Sequence, residues 1–132
     1  PPPLLIVQPP FRRAGGTQRL SRLVGTSKAK DLIFSSRVLN ALQAKEAGIV
    51  NYVSSEGQSA SDCAKGVVQE MLQAGPLALR AAKIAINVGA ETDLESGLDV
   101  ERLAYQTILQ TEDRMEGLKA FAEKRKPVYR GR

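Results

Sequence analysis

From Gly16 to Pro127, apolar residues recur every three or four positions in stretches closed by Gly, Pro or a capping side chain. That spacing predicts a succession of amphipathic helices. Thr17 can cap a short helix QRLSRLV that stops at Gly25, and Thr26 or Ser27 can cap KAKDLIF. Asn40 is the expected N-cap of ALQAKEA, with Gly48 just past its end, and the alternating, β-branched IVNYV (49–53) predicts a short strand. Ser59 or Ser61 starts a helix through Ala74, Gly75-Pro76 ends it, and Pro76 opens the next, PLALRAAKIAINVGA. Thr92 and Glu95 have the spacing of a capping box for a helix to about Gln110, with Leu94, Leu98, Tyr105, Ile108 and Leu109 inward. Thr111, with Glu112 and Asp113 in the first turn, caps a last helix carrying Met115, Leu118, Phe121 and Ala122, which must end before Pro127.

The first thirteen residues break this pattern. Pro1–Pro3 and Pro9-Pro10 bracket LLIV, which forbids a helix and allows at most a short extended piece. The expected fold is therefore mainly α with one or two short strands. The helices after Ser59 should pack as antiparallel neighbours, yet their facing residues are small, so they are expected to lean on something else.

Composition narrows the chemistry. The chain has 132 residues, 42% hydrophobic and 25% charged, the size and balance of one globular unit. It has no His and a single cysteine, Cys63, which excludes an internal disulfide and removes the main residues of zinc, triad and imidazole-base sites. Acid–base work must rest on carboxylates, Lys, Tyr or backbone groups, and no metal site is expected. No apolar run approaches the roughly 20 residues of a membrane span, and neither an initiator Met nor a signal-peptide layout is present.

The net charge of +5 is uneven. Residues 1–30 carry six basic side chains and no acid, and residues 119–132 carry six against Glu123 alone, so the ends are basic and the body acidic. Such ends suit a phosphate-bearing partner, either a nucleotide cofactor or a nucleic acid; solvated helix ends are the plainer alternative. No RRM, KH or zinc-knuckle pattern supports nucleic acid. Gly15-Gly16 lacks P-loop or GxGxxG spacing, so a structural turn is the better reading there.

Taken in order, AGGTQRLSRLVG, KAKDLIFSSR, ALQAKEAGIVN, GPLALRAAKIAIN and TEDRMEGLKAFAEKRKP resemble the second half of the enoyl-CoA hydratase/isomerase (crotonase) family, nearest to its mitochondrial-type hydratases, over about Ala14 to Arg130. The resemblance implies the C-terminal helical part of the ClpP/crotonase-like α/β spiral fold. It divides the chain into an atypical Pro-rich segment (1–13), the end of the crotonase core (14–58) and a helical trimerisation region (59–132). It implies water addition to 2,3-enoyl-CoA in fatty-acid or branched-chain amino-acid breakdown, a mitochondrial location, and a coenzyme A thioester as ligand.

In that family two backbone amides hold the thioester enolate and two glutamates handle water and the α-proton. By the resemblance, the amides and the first glutamate lie upstream of these residues, and Leu5 stands where the second glutamate is expected. Phe11-Arg12-Arg13 replaces the Ile-Pro-Gly that precedes AGGT in the family. Leu5 cannot exchange a proton, so no catalytic residue is assigned. Residues 1–13 read as an alternative exon, a misread splice junction or a diverged extension joined to a family C-terminal half.

Cofactor contact is assigned by the resemblance to Tyr105 and Lys124, the latter within EKRK. Ser36 stands where the family often has Gly. The implied partners are crotonase-family subunits met through the C-terminal helices, in a homo- or hetero-oligomer or a larger assembly; the alternative role is a non-catalytic structural or assembly subunit. RNA binding ranks third, because the lysine helix of the RNA-binding relatives belongs to the other half.

Overall fold

A computed structural model describes residues 15–132 and the backbone of Leu5–Ile6. The remainder of the Pro-rich segment, including Phe11-Arg12-Arg13, lies outside the described residues. The chain forms two compact units, Pro1–Lys65 and Gly66–Arg132.

In the first unit, strand β1 (Leu5–Ile6) pairs antiparallel with β2 (Val38–Leu39), Leu5 opposite Leu39 and Ile6 opposite Val38. Between them run helices α1 (Gly16–Val24) and α2 (Thr26–Phe34), and α3 (Ala41–Glu46) follows. Neither α1 nor α2 has a side-chain cap: Gly15 and Gly25, both at positive φ, occupy the N-cap positions. The expected caps Thr17, Thr26 and Ser27 lie one or two residues too late, because the glycines make the sharper turn. Asn40 does cap α3, in a reciprocal box with Gln43.

The strand expected at 49–53 does not form. The amides of Ile49 and Val50 both reach back to the carbonyl of Ala44, so they close the end of α3 around Gly48 (φ 80°) instead of entering a ladder. The same closure ends α2 at Ser36, whose φ of 48° explains why glycine would suit that position. Ala29, Leu32, Leu39 and Ala44 form the small buried centre of this unit.

Helix α4 (Ala60–Met71) crosses the boundary between units, and the Ser59 hydroxyl accepts from the Asp62 amide at its start. The second unit then holds α5 (Pro76–Gly89), α6 (Leu94–Gln106) and α7 (Glu112–Ala122). Gly75 and Pro76 open α5 as the sequence predicts. The α6 cap is Asp93, which accepts from the Ser96 amide; Thr92 and Glu95 form no capping box, since the Thr92 hydroxyl turns back to the Gly89 carbonyl.

Helices α5 and α6 run antiparallel, so close that a Cβ on Gly97 would meet the Cα of Gly89 at 3.5 Å. This approach selects small residues for the α5–α6 seam, where Ala81 and Ala104 are buried; Ala120 on α7 is the other buried apolar residue of the unit. Leu94, Leu98 and Tyr105, expected inward, are instead 78%, 55% and 51% exposed. The helical periodicity is real, but these larger side chains keep half or more of their surface open to solvent.

Candidate functional site

The sequence TEDRMEGLKAFAEKRKPVYRGR builds one continuous feature on α7. Thr111 caps the helix by accepting from the Arg114 amide, and Glu112 and Asp113 sit in the first turn, where carboxylates favour the helix dipole. Asp113 is buried, with 5% of its surface exposed. Its two carboxylate oxygens accept the amides of Arg130 (2.6 Å) and Gly131 (2.8 Å), while its own amide donates to the Arg132 carbonyl (3.0 Å). The chain after Pro127 thus returns along α7 to its start. Tyr129 anchors this return: its ring lies 3.5 Å from a Cβ built on Gly75 and its hydroxyl 3.3 Å from one on Gly117, so both glycines leave room for it.

The reversal occurs at Lys124. Its amide donates to the Phe121 carbonyl and that of Arg125 to Ala120, the closure that needs a left-handed residue. Lys124 adopts it, with φ 53°. For a residue with a Cβ this costs about 1–2 kcal/mol and persists where neighbouring contacts over-determine it.

Those contacts converge on Glu116. Arg125 grips it with both terminal nitrogens, Nη1 to Oε1 at 2.6 Å and Nη2 to Oε2 at 2.9 Å, and the Val128 amide donates to Oε1 at 2.9 Å. Arg125 Nε also reaches Glu123 at 2.6 Å. The Arg125 guanidinium and then the Val128 amide hold the Glu116 carboxyl at about 2, below its ordinary 4.5, and the two carboxylates push the Arg125 pKa up. Arg125 is neutralised by this pairing. Lys124 and Lys126 are paired with no carboxylate among the described residues, so they carry the free positive charge at this helix end.

The pairing has a pH signature. Glu116 protonates at lower pH folded than unfolded, so its stabilisation is complete above pH about 5 and is lost as pH falls through about 2. The gap in Tm between the wild-type chain and Glu116→Gln should therefore narrow steadily from pH 5 to pH 2. Asp62 and Asp93, also held low by hydrogen bonds (Lys65 and Ser59; the Ser96 amide and hydroxyl), titrate in both variants and cancel.

The sequence-assigned residues separate. Tyr105 lines a cleft of about 290 Å³ with Leu77, Ile108, Leu118 and Tyr129. Lys124 lines neither this cleft nor the larger one, of about 700 Å³, beside Met115, Glu116 and Val128. The aromatic residue nearest to Lys124 in the helix that ends there is Phe121, three residues earlier and 86% exposed, whose carbonyl accepts the Lys124 amide. Its helical spacing with Leu118 and Ala122 disguises it as a core residue in the sequence. Leu5 lies in β1, where it pairs with Leu39. Cys63 is half-buried, and no group of three metal-ligating side chains occurs among the described residues. No helix among the described residues is long and apolar enough to cross a membrane.

Comparison with known proteins identifies this arrangement. The helices superpose on a crystal structure of enoyl-CoA hydratase from Bacillus anthracis with a TM-score of 0.80 and 44% identity, covering 90% of this chain and 46% of that one. The fold is the C-terminal helical part of the crotonase fold. The family model for enoyl-CoA hydratase/isomerase matches residues 10–132, and the chain belongs to that family. Among its relatives are mouse methylglutaconyl-CoA hydratase, mitochondrial, 49% identical over 89% of this chain and 38% of that protein, and mouse enoyl-CoA hydratase domain-containing protein 2, mitochondrial, 45% identical over 90% and 41%. The chain thus spans about two fifths of the length of these relatives.

Proposed function

We propose that this chain supplies the C-terminal helical part of an acyl-CoA hydratase or isomerase and contacts the nucleotide of a coenzyme A thioester through Phe121 and Lys124. The reaction is water addition to a 2,3-enoyl-CoA in fatty-acid or branched-chain amino-acid breakdown, and the location is mitochondrial, as the names of the mouse relatives suggest. The carrying observation is that Phe121, 86% exposed, lies three residues before Lys124, whose ammonium pairs with no carboxylate among the described residues, at a helix end where the neighbouring Arg125 is already neutralised. A flat ring and a free cation are what a nucleobase and its phosphates require.

The chain's own residues bind and orient; they do not supply the proton chemistry. Leu5 offers no ionisable group, so the carboxylates that activate water and move the α-proton must come from outside these residues. We accordingly place the chain in an assembly with crotonase-family subunits, which its exposed helical side chains would meet. A purely structural subunit is the second reading, and coenzyme A binding separates the two.

Calorimetric titration of the 132-residue chain with coenzyme A tests the proposal. Phe121→Ala should weaken binding roughly tenfold or more, given the loss of about 1–3 kcal/mol of base stacking. Lys124→Ala should weaken it several-fold, less so at high salt. Tyr105→Leu should leave it unchanged, because that ring serves a different cleft. Absence of coenzyme A binding to the wild-type chain would leave the structural-subunit reading.

A further inference from the structure

The guanidinium groups of Arg22, Arg37, Arg102, Arg125 and Arg132 each reach a side-chain oxygen. That of Arg114 does not. The Arg114 amide is taken up by the Thr111 cap, but the side chain of this half-buried residue makes no hydrogen bond or ion pair among the described residues. Its fork of N–H donors is open in a place where water reaches it only in part. Arg114 lines the cleft of about 290 Å³ in the second unit, with Leu77, Tyr105, Ile108, Leu118 and Tyr129. Among the described residues that line this cleft Arg114 is the one cation, and the one acid, Asp113, is already occupied by the Arg130 and Gly131 amides. Tyr105 and Leu118 are 51% and 53% exposed, so the walls still have apolar surface to cover.

We infer that this cleft is a binding site for a small free carboxylic acid with a flat apolar body. The carboxylate meets the Arg114 guanidinium, whose planar fork matches its two oxygens, and the body lies against Tyr105, Leu118 and Tyr129. Volume sets the size of the ligand. At about 290 Å³ the cleft stands at the lower end of the roughly 300–1,000 Å³ of small-molecule sites, which suits a single ring and a short arm bearing the acid. The rings of Tyr105 and Tyr129 favour a flat body, because aromatic faces and edges attract one another. A neutral head group would leave the guanidinium unpaired, and a thioester carbonyl offers it no charge, so the occupant is the free acid and not its coenzyme A ester. Phe121 and Lys124 lie outside this lining, which makes the site independent of coenzyme A contact.

Phenylpropionate and the neutral phenylpropionamide differ only in the head group and serve as probes. On titration of the 132-residue chain, followed by the NMR shifts of its backbone amides, both probes should move the signals of Tyr105, Arg114 and Tyr129. The acid should bind at least about fivefold more tightly than the amide. Arg114→Gln should remove that preference and leave the affinity for the amide unchanged; the variant should fold, since the side chain makes no bond within the described residues. Ala78→Phe, a larger side chain at an exposed position on the cleft wall, should abolish the binding of both probes. Equal binding of acid and amide by the wild type would overturn the carboxylate assignment, as would a preference that survives Arg114→Gln. Shifts that fall away from the cleft, binding that survives Ala78→Phe, or no shift with either probe at roughly 10 mM would overturn the site itself.

Discussion

Asp113→Ala should lower the stability of the second unit by about 3 kcal/mol, one of the two largest effects expected from this structure. Two backbone amides, from Arg130 and Gly131, end on this one buried carboxylate. A hydrogen bond to a charged group contributes about 1.5–3 kcal/mol, and removing the acceptor strands both donors. Alanine also frees the returning segment, so Tyr129 loses its fixed seat over Gly75 and Gly117. Asp113→Asn should cost about half as much, because one oxygen remains and the amide group then faces a donor. By contrast Arg102→Ala, which removes an exposed pair with Asp99, should cost under about 1 kcal/mol. Urea denaturation measures all three. Trypsin supplies a local readout: the Arg130–Gly131 bond is flanked by both clamped amides, and Asp113→Ala should speed its cleavage many-fold. Equal stability and equal cleavage would show that the return along α7 is not held by this carboxylate.

Much of the helical order was legible because the signals are local. Asn40 with Gln43, Thr111 with its acidic first turn, and Gly75-Pro76 each act within four residues, and all three stand where the sequence places them. Thr92 and Asp93 compete for one cap, and sequence spacing alone favoured the wrong neighbour. The IVNYV strand failed for a non-local reason, since strand propensity needs a ladder and the amides at 49 and 50 were already taken by Ala44. The real pairing, Leu5–Ile6 with Val38–Leu39, joins two dipeptides more than thirty residues apart, too short for any periodicity to show.

The site divides in the same way. The EKRK stretch is visible as charge, and Lys124 was picked out from it. Glu116 was not, because its partners are nine and twelve residues away and meet it only once the chain reverses at Lys124. The signal that could have found it is negative: a helix that must stop before Pro127 forces a reversal, and an acid two turns back on α7 is the group such a reversal would meet. Inwardness was the larger error. The sequence says that Leu94 and Leu98 lie at helical spacing on α6 and that Met115 belongs to the apolar pattern of α7, but whether such a face meets its own fold or another surface depends on residues that the face does not contain.

These exposed side chains on α6 and α7 carry the second large expectation. At 78%, 55% and 59% exposure, Leu94, Leu98 and Met115 leave apolar surface open on α6 and α7. Burying such a side chain contributes about 1.5–3 kcal/mol, so three covered together would shift an association by a hundredfold or more. The isolated chain should therefore associate at micromolar concentration, its mass by sedimentation rising with concentration. Leu94→Gln, Leu98→Gln and Met115→Gln combined should move that equilibrium at least a hundredfold toward monomer with little loss of helix, since glutamine is a good helix former. Tm at fixed low concentration should change little, because none of the three is buried in the chain itself. Two results would count against this account: a wild-type chain that stays monomeric to hundreds of micromolar, or a triple variant that unfolds. The first would mean that this surface needs a different partner to cover it, and the second that these side chains already serve the fold of the chain alone.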